Sequence, residues 1–230
     1  MSTEIPPSSV EPDAGTRLQI LATEHWSLLA TRALTYNESL SRVNIFLAIL
    51  SGAVIALALV AQVDHFGRTF ITIALPMLGV VLFAGIGTIA RLTALNRDDY
   101  RWVIGMNRLR RAYLDLHPEL EPHFVAGSYD DLPGALQTLG IDLDQAAGRP
   151  LGSVFHLLQT LPGMLTVIVA VVAGAIAALA ALALALPTPG VGLAASAGFA
   201  LVMLLFGIWS RRSFGRVSPV LRPRFPSPGS

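Results

Sequence analysis

Residues Pro150–Ser210 read PLGSVFHLLQTLPGMLTVIVAVVAGAIAALAALALALPTPGVGLAASAGFALVMLLFGIWS and contain no Asp, Glu, Lys or Arg. Two shorter charge-free runs, Val43–Val63 and Thr69–Ala90, lie upstream. A run of about 18 or more apolar residues is long enough to cross the roughly 30 Å hydrocarbon core of a bilayer. The sequence therefore predicts a helical integral membrane protein.

The composition agrees with this class and excludes others. The chain is 53% hydrophobic and 13% charged, whereas soluble domains are about 25% charged. It has no Cys, which excludes disulfides, thiolate metal sites and thiol catalysis. A net charge of +1 argues against a nucleic-acid partner. All 16 basic residues are Arg, a usage associated with high-GC bacterial genomes.

The three charge-free runs predict four transmembrane helices in two hairpins, at residues 43–90 and 151–210. In the first hairpin, the turn between the spans contains Gly67, which supplies backbone freedom. The long run divides at Pro187–Gly190, because two prolines and a glycine within four residues cannot continue a helix. An interfacial helix is expected between residue 151 and the third span. The predicted spans are residues 43–63, 69–90, 161–186 and 191–210, so the fold class is an all-α membrane protein.

The arginines indicate how the chain is oriented. Of the 16 arginines, 15 lie before the first hairpin, between the hairpins or after the second hairpin, and only Arg68 lies in a hairpin turn. Loops on the cytoplasmic side of a membrane carry the excess of basic residues. Both termini and residues 91–150 are therefore expected in the cytoplasm, with the chain in a bacterial inner membrane and in contact with the lipid bilayer.

Amphipathic helices are predicted on both sides of the first hairpin. Residues 16–42, and the residues from 91 to the helix-ending Pro118, each carry apolar side chains every three or four positions. Because one extension enters the bilayer where the other leaves it, we expect an antiparallel cytoplasmic stalk whose stripes pack on each other or on neighbouring copies. The alternative places the first helix flat on the membrane, with Trp26 in the headgroups. The stalk positions are Leu21, Leu29, Tyr36, Leu40, Leu95, Trp102, Met106 and Tyr113.

The remaining segments are short. Residues 1–15 read as a disordered tail, and residues 211–230 as a basic, proline-rich cytoplasmic tail. Between the hairpins, Asp130 and Asp131 precede Leu132 and Pro133, which predicts the N-cap and first turn of a short helix ending near Gly140. About 30 residues cannot form an independent core, so this segment is expected to pack at the end of the stalk.

Small side chains at four-residue spacing mark candidate packing faces on three spans. Such faces let helix backbones approach closely in lipid, so packing into a bundle or a homo-oligomer is expected. In an Ala-rich span the same pattern also arises from composition alone. The positions are Ala48, Gly52 and Ala56 in the first span, Ala170, Gly174 and Ala178 in the third, and Gly192, Ser196 and Ala200 in the fourth.

The spans contain no ionisable residue, although such residues usually mark transport pathways and proton relays. This argues against a proton-coupled transporter. An assembly of several copies could still line a pore with Ser51, Thr72 and Thr88. The sequence also lacks a glycine-rich phosphate loop, an H-E-x-x-H motif and a nucleophile elbow, so neither an enzyme nor a cofactor is expected.

One segment has the composition of a metal site. His117, Glu119, Glu121 and His123 alternate in the stretch HPELEPH, and alternate residues of an extended strand face the same side. Four ligands could therefore converge on a metal ion such as zinc. Glu and His around Pro at a helix exit more often form a solvated cap, so no metal is expected here.

Two stretches carry a resemblance to known proteins. Residues Ile20–Arg42 (ILATEHWSLLATRALTYNESLSR) and Asn96–Leu120 (NRDDYRWVIGMNRLRRAYLDLHPEL) resemble a conserved family of bacterial, mainly actinobacterial, multi-pass membrane proteins. The resemblance implies a membrane protein and no particular activity. The hairpin with helical extensions is also similar to the SLATT type of two-span domain, which is proposed to form effector pores. The second hairpin departs from that pattern.

The sequence thus favours a non-enzymatic membrane scaffold or interaction protein that self-assembles through its helices. A cytoplasmic protein partner is compatible with this interpretation. The alternative is an oligomeric ion channel or pore-forming membrane effector.

Overall fold

The computed structural model describes residues 14–140, 160–214 and 222–228. Every regular element in these ranges is a helix. Four of the helices are long and apolar enough to cross a membrane, which confirms the predicted all-α class with four candidate spans. The elements are α1 (Ala14–Asp64), α2 (Arg68–Leu116), a 3₁₀ helix (Pro118–His123), α3 (Leu132–Thr138), α4 (Leu161–Ala183) and α5 (Thr188–Phe214). The predicted interfacial helix lies outside the described residues.

The first two helices extend well beyond the charge-free runs. α1 has 51 residues and α2 has 49, whereas about 20 residues cross a bilayer. No helix breaker separates either amphipathic stretch from its neighbouring apolar run, so each pair forms one continuous helix. Pro76 lies inside α2 without ending it.

The chain divides into two compact units. The first unit comprises residues 1–33, 100–143 and 220–230, and the second comprises residues 34–99 and 144–219. Four helices share the core of the second unit, where Phe46 of α1, Val81 of α2, Val169 of α4 and Phe206 of α5 are all buried. The core of the first unit is smaller and centres on Val103, Ile104 and Ala135.

Small residues bring α4 and α5 close together. A Cβ atom at Gly174 would lie 2.9 Å from the carbonyl oxygen of Ala195, and one at Gly198 would lie 2.9 Å from that of Ala173. Ala170 and Gly174 are buried and Ala178 is half-buried. The face predicted on the third span therefore packs inside the chain.

The small-residue faces predicted on the first and fourth spans are mostly exposed. Gly192, Ser196 and Ala200 are exposed. Gly198 faces α4, and Ser196 and Ala200, two residues before and after it, are rotated from it by about 200°. In α1, Ala48 and Gly52 are exposed and Ala56 is half-buried, while Phe46 and Ala53 face the core. These two faces are mostly exposed within the chain, and their contact with another copy stays a prediction.

The turn between α1 and α2 uses its residues differently from the prediction. Left-handed backbone occurs at His65 (φ 46°) and Phe66 (φ 61°), not at Gly67. Glycine is needed at position 67 because a Cβ there would lie 2.9 Å from the Asp64 carbonyl oxygen. The Asp64 carboxylate accepts a hydrogen bond of 2.7 Å from the backbone N–H of Phe70, which caps the start of α2.

The break between the last two spans falls near the predicted prolines, with shifted boundaries. α4 ends at Ala183, and Ala185 adopts the left-handed conformation (φ 55°). α5 already begins at Thr188, so Pro189 and Gly190 belong to its first turn. Proline is favoured there because the first N–H groups of a helix have no partner within it.

Replacing Gly174 by Ala should lower the thermal stability of the detergent-purified protein. The added methyl group meets the Ala195 carbonyl oxygen at 2.9 Å, and overpacking of this kind costs about 1–3 kcal/mol. Gly207→Ala in α5 is the matched control, since a Cβ atom there meets nothing within 4 Å. Equal melting temperatures for the two variants would contradict the close packing of α4 on α5.

Candidate functional site: two buried aspartates that hold the C-terminal segment

Asp130 and Asp131 stand directly before α3 and are almost fully buried, at 1% and 5% exposure. Asp131 is the N-cap residue of α3, and its Oδ1 accepts a hydrogen bond of 2.9 Å from the backbone N–H of Gly134. This is the short helix predicted after the two aspartates. We call the two carboxylates the aspartate clamp, because both also bind a distant part of the chain.

The clamp binds the C-terminal segment, defined as residues 222–228. Both oxygens of Asp130 accept from the Arg224 N–H, at 3.0 and 2.9 Å, and Oδ1 accepts from the Phe225 N–H at 2.7 Å. Oδ2 of Asp131 accepts from the Ser227 N–H at 2.7 Å and from its hydroxyl. The Asp130 N–H donates in turn to the Phe225 carbonyl at 3.1 Å. The segment is thus held mainly through its backbone.

Two side chains of α2 complete the clamp. Arg108 donates from Nε to Asp130 Oδ2 at 2.7 Å and from Nη2 to the Arg222 carbonyl at 3.1 Å. The fully buried Asn107 amide donates to the carbonyls of Tyr129, at 2.7 Å, and Gly134, at 3.1 Å. Asn107 therefore fixes the chain on both sides of the clamp to α2.

The Asn107 side chain also accepts hydrogen bonds at Oδ1. The Thr138 hydroxyl donates to it at 2.9 Å and Arg110 Nη1 at 2.8 Å. Because both donors and the acceptor of this buried amide have partners, its hydrogen bonds compensate for the loss of contact with water. The network is consistent with a rigid support for the clamp.

The pKa of Asp130 reflects its partners. Burial by itself would raise it, but hydrogen bonds from the Arg224 N–H, the Arg108 guanidinium and the Phe225 N–H outweigh burial and hold the pKa below its ordinary value. Asp130 is therefore a carboxylate at neutral pH.

Asp131 behaves in the same way. Burial raises its pKa, and hydrogen bonds from the Ser227 hydroxyl, the Ser227 N–H and the Gly134 N–H lower it further than burial raises it. Burial, followed by the charges of Asp131 and Asp130, raises the pKa of the Tyr100 hydroxyl. The clamp thus places two negative charges in a mostly buried setting and stabilises them with hydrogen-bond donors of the C-terminal segment.

The metal-site geometry proposed for His117, Glu119, Glu121 and His123 is wrong. Residues Pro118–His123 form a 3₁₀ helix, in which alternate residues do not share a side. All four side chains are exposed, and the His117 Nδ1 atom lies 3.0 Å from Glu119 Oε1. Among the described residues, no group of three His, Cys, Asp or Glu could hold a metal ion.

The predicted stalk residues divide into two groups. On α2, Leu95 and Met106 are buried, and Trp102 and Tyr113 are half-buried; on α1, Leu21 is half-buried. Leu29, Tyr36 and Leu40 are exposed, at 40%, 61% and 37%, so these three lie outside the buried core of the chain.

The inward-facing positions of α1 are offset by one residue from the predicted ones. Within the first unit, Leu28 contacts α2 at Gly105, where a Cβ atom would lie 3.1 Å from Leu28 Cδ1. In the second unit, Ser39 is buried. Leu29 and Leu40 each lie one residue after an inward-facing position, Leu28 and Ser39, so the predicted stripe is turned by about 100° around the helix.

An ion network joins α1 and α2 in the second unit. Glu38 Oε1 accepts from Arg42 Nε at 2.8 Å and from Arg91 Nε at 2.9 Å, and its Oε2 accepts from Arg91 Nη2 at 3.0 Å. The hydrogen bonds from Arg91 and then Arg42 lower the pKa of Glu38 to about 2. The pair Glu38–Arg91 is the bidentate geometry that gives arginine–carboxylate contacts their specificity.

The candidate pore residues lie on α1 and α2. Ser51 and Thr72 are exposed and Thr88 is half-buried. The hydroxyls of Thr72 and Thr88 donate to the carbonyls of Arg68 and Ala84, four residues earlier, at 2.9 and 2.8 Å. These two hydroxyls are therefore satisfied within their own helix.

Comparison with known proteins finds no matching family model, no similar curated protein and no similar solved structure.

Replacing Asp131 by Asn should expose the C-terminal segment. The variant weakens charge-assisted hydrogen bonds to Ser227, each of a kind that contributes about 1.5–3 kcal/mol. Trypsin should then cut after Arg224 about tenfold faster than in the parent. Asp115→Asn is the matched control, because Asp115 is an exposed partner of Arg111. Unchanged cleavage of the Asp131 variant would contradict the clamp.

Acidification should also release the segment. Both carboxyl pKa values lie below the ordinary value of about 3.9, so the stabilisation by the clamp is complete above that pH and is lost as the pH falls through the lower folded-state values. A fluorophore on a cysteine introduced at Ser230, in a chain without other cysteines, should report release only below about pH 4. Release between pH 6 and pH 8 would contradict the assignment.

Proposed function

We propose that the protein is a non-enzymatic membrane scaffold, which anchors its first unit at the cytoplasmic face of a bacterial inner membrane and assembles with copies of itself. The four candidate spans support the anchor. The position of 15 of the 16 arginines outside the turns supports cytoplasmic termini.

In this proposal the spans form two helical hairpins, and the extensions of the first hairpin form an antiparallel stalk. Contacts within each unit support the antiparallel direction. In the first unit, the rings of His25 and Tyr113 lie 5.9 Å apart. In the second unit, Glu38 of α1 bonds to Arg91 of α2, while a Cβ atom at Gly85 would lie 3.0 Å from the Phe46 ring. Leu28, three residues after His25, contacts Gly105 in the first unit, so within each unit the contacted position on α2 falls as the residue number rises along α1.

The observation that carries self-assembly is the exposed small-residue face of α1. Ala48 and Gly52 form a shallow strip, and Ile45 and Ile49 beside them are exposed at 58% and 42%. In lipid, helices associate by close backbone approach at small residues, with larger neighbours filling the space alongside. A second copy of α1 fits this strip.

At Gly52, the strip faces open space and not the rest of the chain. A Cβ atom at Gly52 would meet nothing within 4 Å, so a larger side chain fits there without disturbing the fold. A substitution at Gly52 therefore separates assembly from folding.

Replacing Gly52 by Ile should reduce the oligomer to smaller species without lowering the melting temperature. The added side chain blocks close approach of a second α1 helix, while the chain itself offers open space. Gly87→Ile on α2 is the matched control, because a Cβ atom at Gly87 also meets nothing within 4 Å. Mass photometry of protein in nanodiscs measures the outcome.

Two results would contradict the scaffold proposal. One is a parent protein that is monomeric in nanodiscs at all concentrations tested. The other is an equal loss of oligomer in the Gly52 and Gly87 variants, which would show that bulk at any lipid-facing glycine has the same effect.

The alternative function is an oligomeric channel or effector pore. The exposed hydroxyl-bearing Ser51 beside Gly52 favours it, since assembly through the Gly52 strip would bring Ser51 residues of several copies near one another. Ion flux through the reconstituted protein that falls on Ser51→Val substitution would support a pore. A stable oligomer without flux would support the scaffold.

A further inference from the structure

The C-terminal segment matches the clamp residue by residue. The clamp receives backbone N–H groups from Arg224, Phe225 and Ser227. Pro223 precedes these donors and Pro226 lies between the second and the third of them. Proline has no N–H to donate. The prolines therefore stand where the clamp uses no donor, and they also favour the extended backbone that it binds.

The binding mode is that of a peptide site. The segment contributes three N–H groups, the carbonyls of Arg222 and Phe225, and one hydroxyl, that of Ser227. The Phe225 side chain stays 36% exposed. Recognition therefore rests on the backbone and on Ser227, as in sites that bind an extended chain by main-chain hydrogen bonds.

The aspartates depend on this ligand. Without the segment, the nearly buried Asp130 would keep the bond from Arg108, and Asp131 would keep that from Gly134. Their remaining lone pairs would lose their donors, which is costly for buried carboxylates. The buried aspartates are therefore stable only when a segment with such donors is bound.

The segment is joined to α5 by a short stretch of chain. By its contacts it belongs to the first unit, yet it follows α5 of the second unit after only residues 215–221. A segment of this kind can be exchanged between identical chains, because the same contacts form with either copy.

We infer that the clamp is a peptide-binding groove that, in the assembled protein, receives the C-terminal segment of a second copy of this chain. This inference rests on the proposed self-assembly, which brings a neighbour's segment to a high effective concentration. Each copy supplies one groove and one segment, so all hydrogen bonds of the clamp are kept when segments are exchanged. The exchanged segments link neighbouring copies.

The first arm of the test asks whether the groove binds the segment as a separate molecule. A protease recognition sequence is inserted after Val217 in the full-length protein, which is then cut. A labelled peptide of residues 218–230 should replace the cut segment in a saturable manner. A Ser227→Ala peptide should bind about tenfold more weakly, because it lacks the hydroxyl donor to Asp131.

The matched control for this arm is Asp115→Asn in the protein, which should bind the labelled peptide like the parent, whereas Asp131→Asn should weaken binding about tenfold. Equal binding to the parent and to both variants, or no binding to cut protein that has lost its own segment, would overturn the groove.

The second arm asks whether the segment comes from another copy. One full-length chain carries only Leu132→Cys, next to the clamp, and the other carries only Pro228→Cys, in the segment. After reconstitution of the mixture, a bismaleimide crosslinker can join groove and segment only between copies. A chain with both cysteines reports contact within one copy, and the parent has no Cys of its own.

Exchange predicts a crosslinked dimer in the mixture that decreases at least fivefold when Ser227→Ala is added to the Pro228→Cys chain. An oligomer by mass photometry without the crosslinked dimer would overturn exchange and leave the scaffold proposal standing. A monomer without the dimer would overturn both.

Discussion

A peptide chain in hydrocarbon has no water to satisfy its N–H and C=O groups, so it must satisfy them within itself. The rest of this structure depends on that constraint. The charge-free runs become helices, and because no breaker precedes the first run or follows the second, α1 and α2 continue as single helices of 51 and 49 residues. The helices thereby present two chemically different surfaces along one continuous backbone: an apolar stretch for lipid, and a stretch with Glu38, Arg42 and Arg91 bonded to one another.

The first unit, by contrast, buries charged groups and must stabilise them away from water. Two adjacent carboxylates, at 1% and 5% exposure, are held by an arginine, by a helix N-terminus and by the backbone of a segment about 95 residues away in sequence. Removing one partner of a buried charge costs more than the pair contributes. The C-terminal segment is therefore part of this unit's structure rather than an appendage.

The sequence allowed the class, the number of candidate spans and the N-cap at Asp131 to be predicted, since each depends on local chemistry. The packing faces were harder. The spacing of small residues correctly placed Gly174 on a packing face, which in the structure packs against α5. On α5 the same spacing selected Gly192 instead of Gly198, because small residues occur on every side of that helix. The predicted stalk positions Leu29 and Tyr36 are exposed within the chain, because a step of four looks as favourable as a step of three until a partner helix selects between them.

The C-terminal clamp was missed altogether, for a physical reason. Nothing local links Asp130 to Phe225, and residues 211–230 read as a basic, proline-rich tail. The usable signal was the pairing of two aspartates with a segment, RPRFPS, whose prolines stand beside the positions that donate N–H groups. That pattern becomes informative only when the N–H positions are compared with the carboxylates that receive them.

The central claim, a four-span chain with its first unit in the cytoplasm, is tested most directly by the accessibility of single cysteines in a chain that has none. Phe66, in the turn between α1 and α2, is 69% exposed, and Val125, before α3, is 96% exposed. With a membrane-impermeant maleimide on bacterial spheroplasts, Phe66→Cys should label in intact spheroplasts and Val125→Cys only after permeabilisation. Labelling of Val125→Cys in intact spheroplasts, with Phe66→Cys protected, would contradict the account.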